Sequence, residues 1–391
     1  MAQKKHVILK KNEDRRLRSG HQWVFSNEIH RAVGAPVAGD VVEILRADGV
    51  SLGIGFYHPN SLIAVRLLSQ RDEPVDPAFF EKRIRTALAL REKLYPGSGT
   101  YRVVHGEGDL LPGLIIDKYN EYLSVQTFTA GMDARLAEIA DVLVSIFAPR
   151  GIVERNESPL RLMEQLPMRR TILRGMVDHT IIDLHGVKFN VEVMEGQKSG
   201  FFLDQRDNRS SLAQLAKGAT VLDCFCNEGG FGMHAAAGGA ALVDFVDASE
   251  ESIAKAKVNA ALNKVTNVHF TTADAFEFLT NAVKDKKQYD IVVLDPPSFT
   301  KSKKTVATAL RGYKEINVNG MRLTASGGFL ATASCSHHID EQMFLQMIGD
   351  SAGKAGRQIQ IVSTSGAAGD HPTLPAMPET KYLKYALVRV Y

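Results

Sequence analysis

Cysteine is scarce in this chain of 391 residues: it occurs only as Cys224, Cys226 and Cys335. Three thiols are too few for a disulfide framework, and no two stand in the Cys-x-x-Cys spacing of a zinc site. An oxidising compartment is therefore disfavoured, a reducing cytoplasm fits best, and no metal is expected. Long apolar runs are missing as well. No uninterrupted stretch approaches the roughly 18 residues of a spanning helix. The N-terminus is broken by Lys4, Lys5, Lys10 and Lys11, which argues against a secretion signal. Internal repeats and low-complexity tracts are absent too.

With 45% hydrophobic and 23% charged residues, the chain reads as folded and soluble rather than disordered. At about 150 residues per domain, its length suggests two or three domains. The net charge of +3 hides an asymmetry: residues 1–71 hold 11 Lys/Arg against 6 Asp/Glu. A localised basic excess of this kind suits phosphate contacts and salt-dependent attachment to nucleic acid, although a merely solvated face has the same composition.

Short β-like runs at 40–45, 52–57 and 62–68, separated by turn signals at Asp48-Gly49 and Pro59-Asn60, predict a small barrel over residues 1–73. Pro74 and Pro77 interrupt that pattern, and apolar residues then recur at helical spacing over 78–94. Residues 74–190 read as an α+β middle domain, with strands at 114–116 and 122–128 and a helix over 134–147.

From about residue 191 to 391 strands and helices alternate. Strand-like runs at 220–225, 242–247, 268–271, 290–295 and 329–334 enclose helical stretches, notably 250–262 with Ser249 as its N-cap. Such alternation specifies an α/β domain whose parallel sheet is covered on both faces. Two late strands, 358–364 and 382–390, predict an antiparallel pair at the sheet edge.

Ligands of doubly wound sheets bind beyond the carboxyl ends of the strands, so chemistry is expected there. The first strand runs into Asp223-Cys224-Phe225-Cys226-Asn227-Glu228-Gly229-Gly230-Phe231-Gly232, whose glycines would let a ligand approach the backbone. Gly230-x-Gly232-x-x-Ala235 also satisfies a loose dinucleotide pattern, which keeps an NAD-binding reading open. Asp247 ends the second strand and suits ribose hydroxyls, which NAD and S-adenosylmethionine share. Asp274 follows the third, placed either to accept from an adenine amino group or simply to cap the next helix.

The fourth strand leads into Asp295-Pro296-Pro297-Ser298-Phe299, where two prolines fix the backbone and hold an acid and an aromatic ring near a flat base. Stacking of that type contributes about 1–3 kcal/mol. The fifth strand ends in Ser334-Cys335-Ser336. A lone cysteine is more often a small buried hydrophobe, but one at this strand end faces the same crevice. Its thiolate could add to C6 of a pyrimidine and activate C5 for methylation. An ordinary thiol ionises near pH 8.5, so the site must favour the anion. His337 and His338 lie close by in sequence without an assignable role.

These residues resemble the bacterial PUA-domain-containing, S-adenosylmethionine-dependent large-subunit ribosomal RNA cytosine-C5 methyltransferases. The resemblance covers nearly the whole chain. It includes Gly20-His21-Gln22-Trp23-Val24-Phe25-Ser26, Gly53-Ile54-Gly55-Phe56-Tyr57, Gly113-Leu114-Ile115-Ile116-Asp117 and Gly196-Gln197-Lys198-Ser199-Gly200-Phe201-Phe202-Leu203-Asp204-Gln205-Arg206, besides the motifs above. It implies a Rossmann-like class I methyltransferase domain over 191–391, preceded by a PUA-like barrel and the middle domain.

It further implies S-adenosylmethionine as cofactor, held by Phe202, Asp204, Gln205, Arg206, Asp223, Phe225, Asn227, Gly229, Asp247, Ala248, Ser249, Asp274, Ala275 and Asp295. Cys335 and Asp295 would be catalytic, with Pro296, Pro297, Phe299 and Lys301 against the base. Ribosomal RNA is the implied partner, without a membrane, and a homodimer is allowed for. Two departures stand out. Asn227-Glu228 replaces an aromatic-threonine pair, and Ser298 stands where many RNA cytosine-C5 enzymes have a second cysteine. Two competing readings remain: methylation of an exocyclic amine by Asp295 and Phe299, and a non-catalytic RNA-binding assembly factor.

Overall fold

The computed structural model describes residues 4–196, 200–300 and 302–391. The chain divides into two compact units: residues 1–182, 191–203 and 369–380 form the first, and residues 183–190, 204–368 and 381–391 the second. The segments read from sequence as a barrel and as most of the middle domain both lie in the first unit. Among the described residues no helix is long and apolar enough to cross a membrane, and no group of three or more His, Cys, Asp or Glu is placed to hold a metal ion.

In the first unit, a six-stranded, largely antiparallel sheet runs in the order Trp23–Phe25, Ile63–Ser69, Ser51–Tyr57, Val41–Leu45, His6–Leu9, Ile29–Val33. It contains the three strands expected from the sequence, two that are too short to show a period, and Ile29–Val33, whose middle is exposed and does not alternate. Val7, Val24, Val42, Ile44 and Val65 form its apolar centre. A five-stranded sheet follows, ordered Arg169–Gly175, Gly151–Asn156, Tyr122–Thr127, Leu114–Tyr119, Thr100–His105. Helix Pro77–Leu94 starts where Asp76 accepts from the Phe79 amide at 3.0 Å and Pro77 fills the first turn. Together with helix Leu136–Phe147 it supplies Phe80, Ile84, Ile139 and Leu143 to a common core with that sheet.

The second unit carries a seven-stranded sheet. Its strands in chain order are β1 Thr220–Cys224, β2 Leu242–Asp247, β3 Val268–Thr272, β4 Tyr289–Leu294, β5 Thr324–Ser334, β6 Ile359–Ser365 and β7 Lys384–Val390. Between them run α1 Arg206–Ala213 (before β1), α2 Gly230–Ala237, α3 Glu250–Leu262, α4 Ala275–Lys284, α5 Val306–Leu323 and α6 Glu341–Ala355. The spatial order is β3-β2-β1-β4-β5-β7-β6, with β1 to β5 parallel and β7 antiparallel to both β5 and β6.

Helix boundaries follow the capping chemistry. Ser249 accepts from the Ser252 amide at 3.1 Å and Asp340 from the Met343 amide at 2.8 Å, each such cap contributing about 1 kcal/mol. Central strands are apolar on both faces: Ile291, Val292, Val293 and Leu294 are all buried, which only a sheet covered on both sides permits. The resulting core joins Leu222, Val292, Leu294 and Leu330 to Tyr313, Ile316 and Met321 of α5. This is a doubly wound, Rossmann-like α/β unit whose chain order reverses beside β1.

Candidate active site at the carboxyl edge of the parallel sheet

Asp223 occupies the second-last position of β1 and Asp247 the last of β2, while Asp274, Asp295 and Cys335 directly follow or lie just beyond the ends of β3, β4 and β5. The topology thus brings the chemistry-bearing residues of the second unit to one edge of one sheet. Phe202 belongs to the first unit, where it is half-buried. Gln197, Lys198, Ser199 and Lys301 lie outside the described residues.

The loop after β1 is tightly wound. Phe225 (φ 59°), Asn227 (φ 50°) and Gly229 (φ 84°) all have left-handed backbone, a conformation that costs a bulky residue about 1–3 kcal/mol. Both oxygens of the Asp247 carboxylate hold this region: Oδ2 accepts from the Asn227 amide and Oδ1 from the Ser249 amide, each at 2.9 Å. Asp223 is buried, and its Oδ2 accepts from the Gly232 amide at 2.7 Å. Burial pushes its carboxyl up to about 7, with the charge of Asp295 adding and the Gly232 amide opposing.

The glycines here act differently from what the sequence suggests. A Cβ on Gly232 would stand 2.1 Å from the Phe245 ring, and one on Gly230 would stand 2.5 Å from the Arg209 guanidinium. That space is already filled by the protein, so these two glycines serve close packing rather than the approach of a ligand. Gly229 serves the turn.

Asp295 is half-buried and accepts from Gln205 Nε2 at 3.0 Å. Gln205 in turn takes a hydrogen bond from Asn208 Nδ2 at 2.7 Å, and Asn208 accepts from Ser365 Oγ at 2.7 Å. This chain fixes the acid's orientation from β6 inward. Asp204 accepts from the Tyr382 hydroxyl at 2.6 Å. Arg209 is buried within reach of the charges of Asp295, Asp204, Asp223 and Glu228. Arg206 is buried beside it on α1. Sequence reading missed Asn208, Arg209 and Tyr382. Asn208 and Arg209 fall one helical turn after Gln205, the spacing that puts side chains on one face, and this was the available signal.

Asp274 is exposed and its Oδ1 caps α4, accepting from the amides of Phe276 at 2.9 Å and Glu277 at 3.1 Å. Ala275 is buried, Ala248 exposed and Ser249 half-buried. Along the loop after β4, Pro296 is buried and Pro297 exposed. The half-buried Phe299 ring leans on Tyr313 of α5 at 4.5 Å and Phe276 of α4 at 5.8 Å between centroids, so one side of the ring already belongs to the core.

Cys335 is half-buried between the fully buried Ser334 and Ser336. Cys224 and Cys226 are buried, and burial together with Asp223 and Asp247 pushes both thiols far up, away from the thiolate form. Ser336 Oγ bridges Ser298 Oγ at 3.0 Å and the Tyr313 hydroxyl at 2.9 Å.

Asp223 feels the charges of both Asp247 and Asp295 at this edge. A ligand carrying positive charge and ribose hydroxyls fits that set, and S-adenosylmethionine has both a sulfonium and an ammonium group beside its ribose.

Comparison with known proteins bears on the same edge. Residues 7–70 match the PUA-like domain family, and residues 174–357 match the S-adenosylmethionine-dependent methyltransferase family. The fold is shared with a SAM-dependent methyltransferase described from Streptococcus mutans (TM-score 0.84, 21% identity, 98% of this chain and 99% of that one). It is shared equally with a structure described as a methyltransferase complexed with SAH (TM-score 0.85, 21% identity, the same coverage). Identity is higher with Ribosomal RNA large subunit methyltransferase I of Shewanella denitrificans, at 39% over 98% of this chain and 99% of that one. The protein of the same name from Tolumonas auensis is 38% identical over 98% of each chain. At this identity along essentially the full length of both sequences, the chain belongs to the ribosomal RNA large subunit methyltransferase I family.

Proposed function

We propose that this protein methylates C5 of a cytosine in large-subunit ribosomal RNA, using S-adenosylmethionine and a Cys335 thiolate that adds to C6. The observation that carries the reading is the partial exposure of Cys335 at the end of β5, next to the β4 end that bears Asp295. The basic N-terminal PUA-like region is the part suited to holding structured RNA through phosphate and shape contacts. The cytoplasm is the matching compartment.

S-adenosylmethionine, when bound, supplies an electrophilic methyl group. Asp247 and Ser249 are the residues to hold its ribose, with Asp274 and Ala275 toward the adenine and Asp223, Phe225, Asn227 and Gly229 along the first loop. Asp204, Gln205 and Arg206 complete the set. Asp295 grips the exocyclic amine of the base through the oxygen that Gln205 orients, beside Pro296, Pro297 and Phe299. The sulfur of Cys335 donates its electron pair to C6, C5 takes the methyl group, the C5 proton leaves, and the C6–S bond breaks to return the thiolate.

Cys335→Ala should abolish methyl transfer while cofactor affinity stays within about twofold. Chromatography with mass spectrometry of the digested RNA should show C5-methylcytidine. An N-methylated nucleoside would support amine methylation through Asp295 and Phe299 instead. Complete absence of label on unmodified ribosomal RNA would favour the assembly-factor reading.

A further inference from the structure

A buried cation stands beside the proposed nucleophile. Lys384 opens β7 and pairs with Ser334 across the antiparallel β5–β7 ladder, so its register is fixed by the sheet. The residue is 4% exposed. Its Nζ donates to the carbonyls of Ser336 at 2.7 Å and Tyr382 at 2.8 Å. The first of these belongs to the residue directly after Cys335. An ammonium taken this far out of water needs more than two neutral acceptors, because burying a charge is costly unless an opposite charge faces it.

Among the described residues, charged and titratable groups reach it from several elements. Cys335 at the end of β5 and Asp340 at the start of α6 act to keep Lys384 protonated, while Lys381 acts against it. His337 lies close enough to feel the ammonium, with His338 beside it. Tyr313 of α5 feels the charge of Cys335 and belongs to the Ser336 hydroxyl network. Burial pulls the Lys384 amine down to about 8, opposed by Cys335 and Asp340. Asp340 already accepts from the Met343 amide as the cap of α6.

Resting on the reading of Cys335 as nucleophile, we propose that Lys384 is the positioning residue that holds Cys335 as a thiolate, its ammonium anchored on the Ser336 and Tyr382 carbonyls and its charge offsetting that of the sulfur. The thiol proton passes to solvent. When the sulfur donates its pair to C6, the negative charge leaves the ion pair. When the C6–S bond breaks after loss of the C5 proton, the electron pair returns to sulfur beside the same ammonium. One cation therefore assists both ionisation of the nucleophile and its departure. No second thiol is needed for the departure, which fits the serine at position 298.

The test is the pH dependence of Cys335 alkylation by iodoacetamide in the full-length protein, with Cys335→Ala as the blank. Wild type should react as a thiolate through neutral pH. Lys384→Met should move the midpoint upward by about one pH unit, a roughly tenfold slower reaction at pH 7. Lys384→Arg should keep the wild-type midpoint, and calorimetric affinity for S-adenosylhomocysteine should stay within about twofold in both. A Lys384→Met profile that superposes on wild type overturns the inference. Should Lys384→Met fail to fold, the thiolate absorbance of wild type minus Cys335→Ala decides. A midpoint at or above the ordinary thiol value of about 8.5 overturns it, and one well below supports it. Failure of the underlying reading looks different: Cys335→Ala would then still form C5-methylcytidine, whatever the alkylation profile.

Discussion

Ser298 Oγ and Ser336 Oγ lie 3.0 Å apart, joining the loop after β4 to the loop after β5. Ser336 Oγ is also 2.9 Å from the Tyr313 hydroxyl, and Ser298 Oγ donates to the Thr300 carbonyl at 2.8 Å. The two loops that flank the proposed base site are thus held in register by one buried hydroxyl. Ser336→Ala removes that link at a cost of about 1–2 kcal/mol in stability. Turnover should fall about tenfold or more while the KM for S-adenosylmethionine is unchanged, because the first loop and Asp247 are untouched. Unaltered kcat in steady-state kinetics would show that the link is structural only.

Asp223 gives a pH signature. Its carboxyl is raised from the ordinary 3.8 to about 7 by burial first of all. The unfolded chain therefore ionises at lower pH than the folded one. The contribution of this group is full below pH 4, declines as pH rises, and is lost above about 7. Asp223→Asn keeps an acceptor for the Gly232 amide and removes the titration. Relative to wild type, the variant should gain stability between pH 5 and pH 8. Urea midpoints at the two pH values check this, and a pH-independent difference would count against it.

Gly232 meets the Phe245 ring where a methyl group would stand. Gly232→Ala should destabilise the second unit by about 1–3 kcal/mol through overpacking. Combined with Phe245→Leu, the loss should be smaller than the sum of the two single variants, because the leucine vacates the ring edge. Additive effects in denaturant titrations would place the cost elsewhere.

Asp274 combines an observed cap with a proposed adenine contact. Asp274→Ser keeps a capping oxygen but not the carboxylate, whereas Asp274→Ala loses both. Stability should drop by about 1 kcal/mol in the alanine variant only. Cofactor affinity should fall about tenfold in both. Wild-type affinity in Asp274→Ser, measured calorimetrically, would reduce the residue to a cap.

Much of the second unit was legible because its central strands are apolar and three of its helices carry side-chain caps, Ser249, Asp274 and Asp340. Ser249 and the two late strands were read to within two residues. The ends of β1 to β5 then named the candidate residues by position alone. What the sequence concealed is three-dimensional. Arg209 and Asn208 carry no motif, and their roles arise only when α1 sets them against Asp223 and Asp295. Lys384 reads as a lone lysine in a strand until pairing with Ser334 puts it beside Cys335. In the first unit, strands such as Trp23–Phe25 are too short for a period-two pattern, and the buried Arg91–Asp109 pair, with contacts of 2.5 and 2.7 Å, joins residues that look like ordinary surface charges.

The position of β7 has a consequence for biogenesis. This strand is synthesised after every other strand of its sheet, yet it sits between β5 and β6. A nascent chain therefore makes β6 before the strand that joins it to β5, and β6 has no place in the sheet until β7 emerges. The same strand delivers Lys384, so until β7 pairs with β5 the sheet is unfinished and the ammonium is not yet beside Cys335.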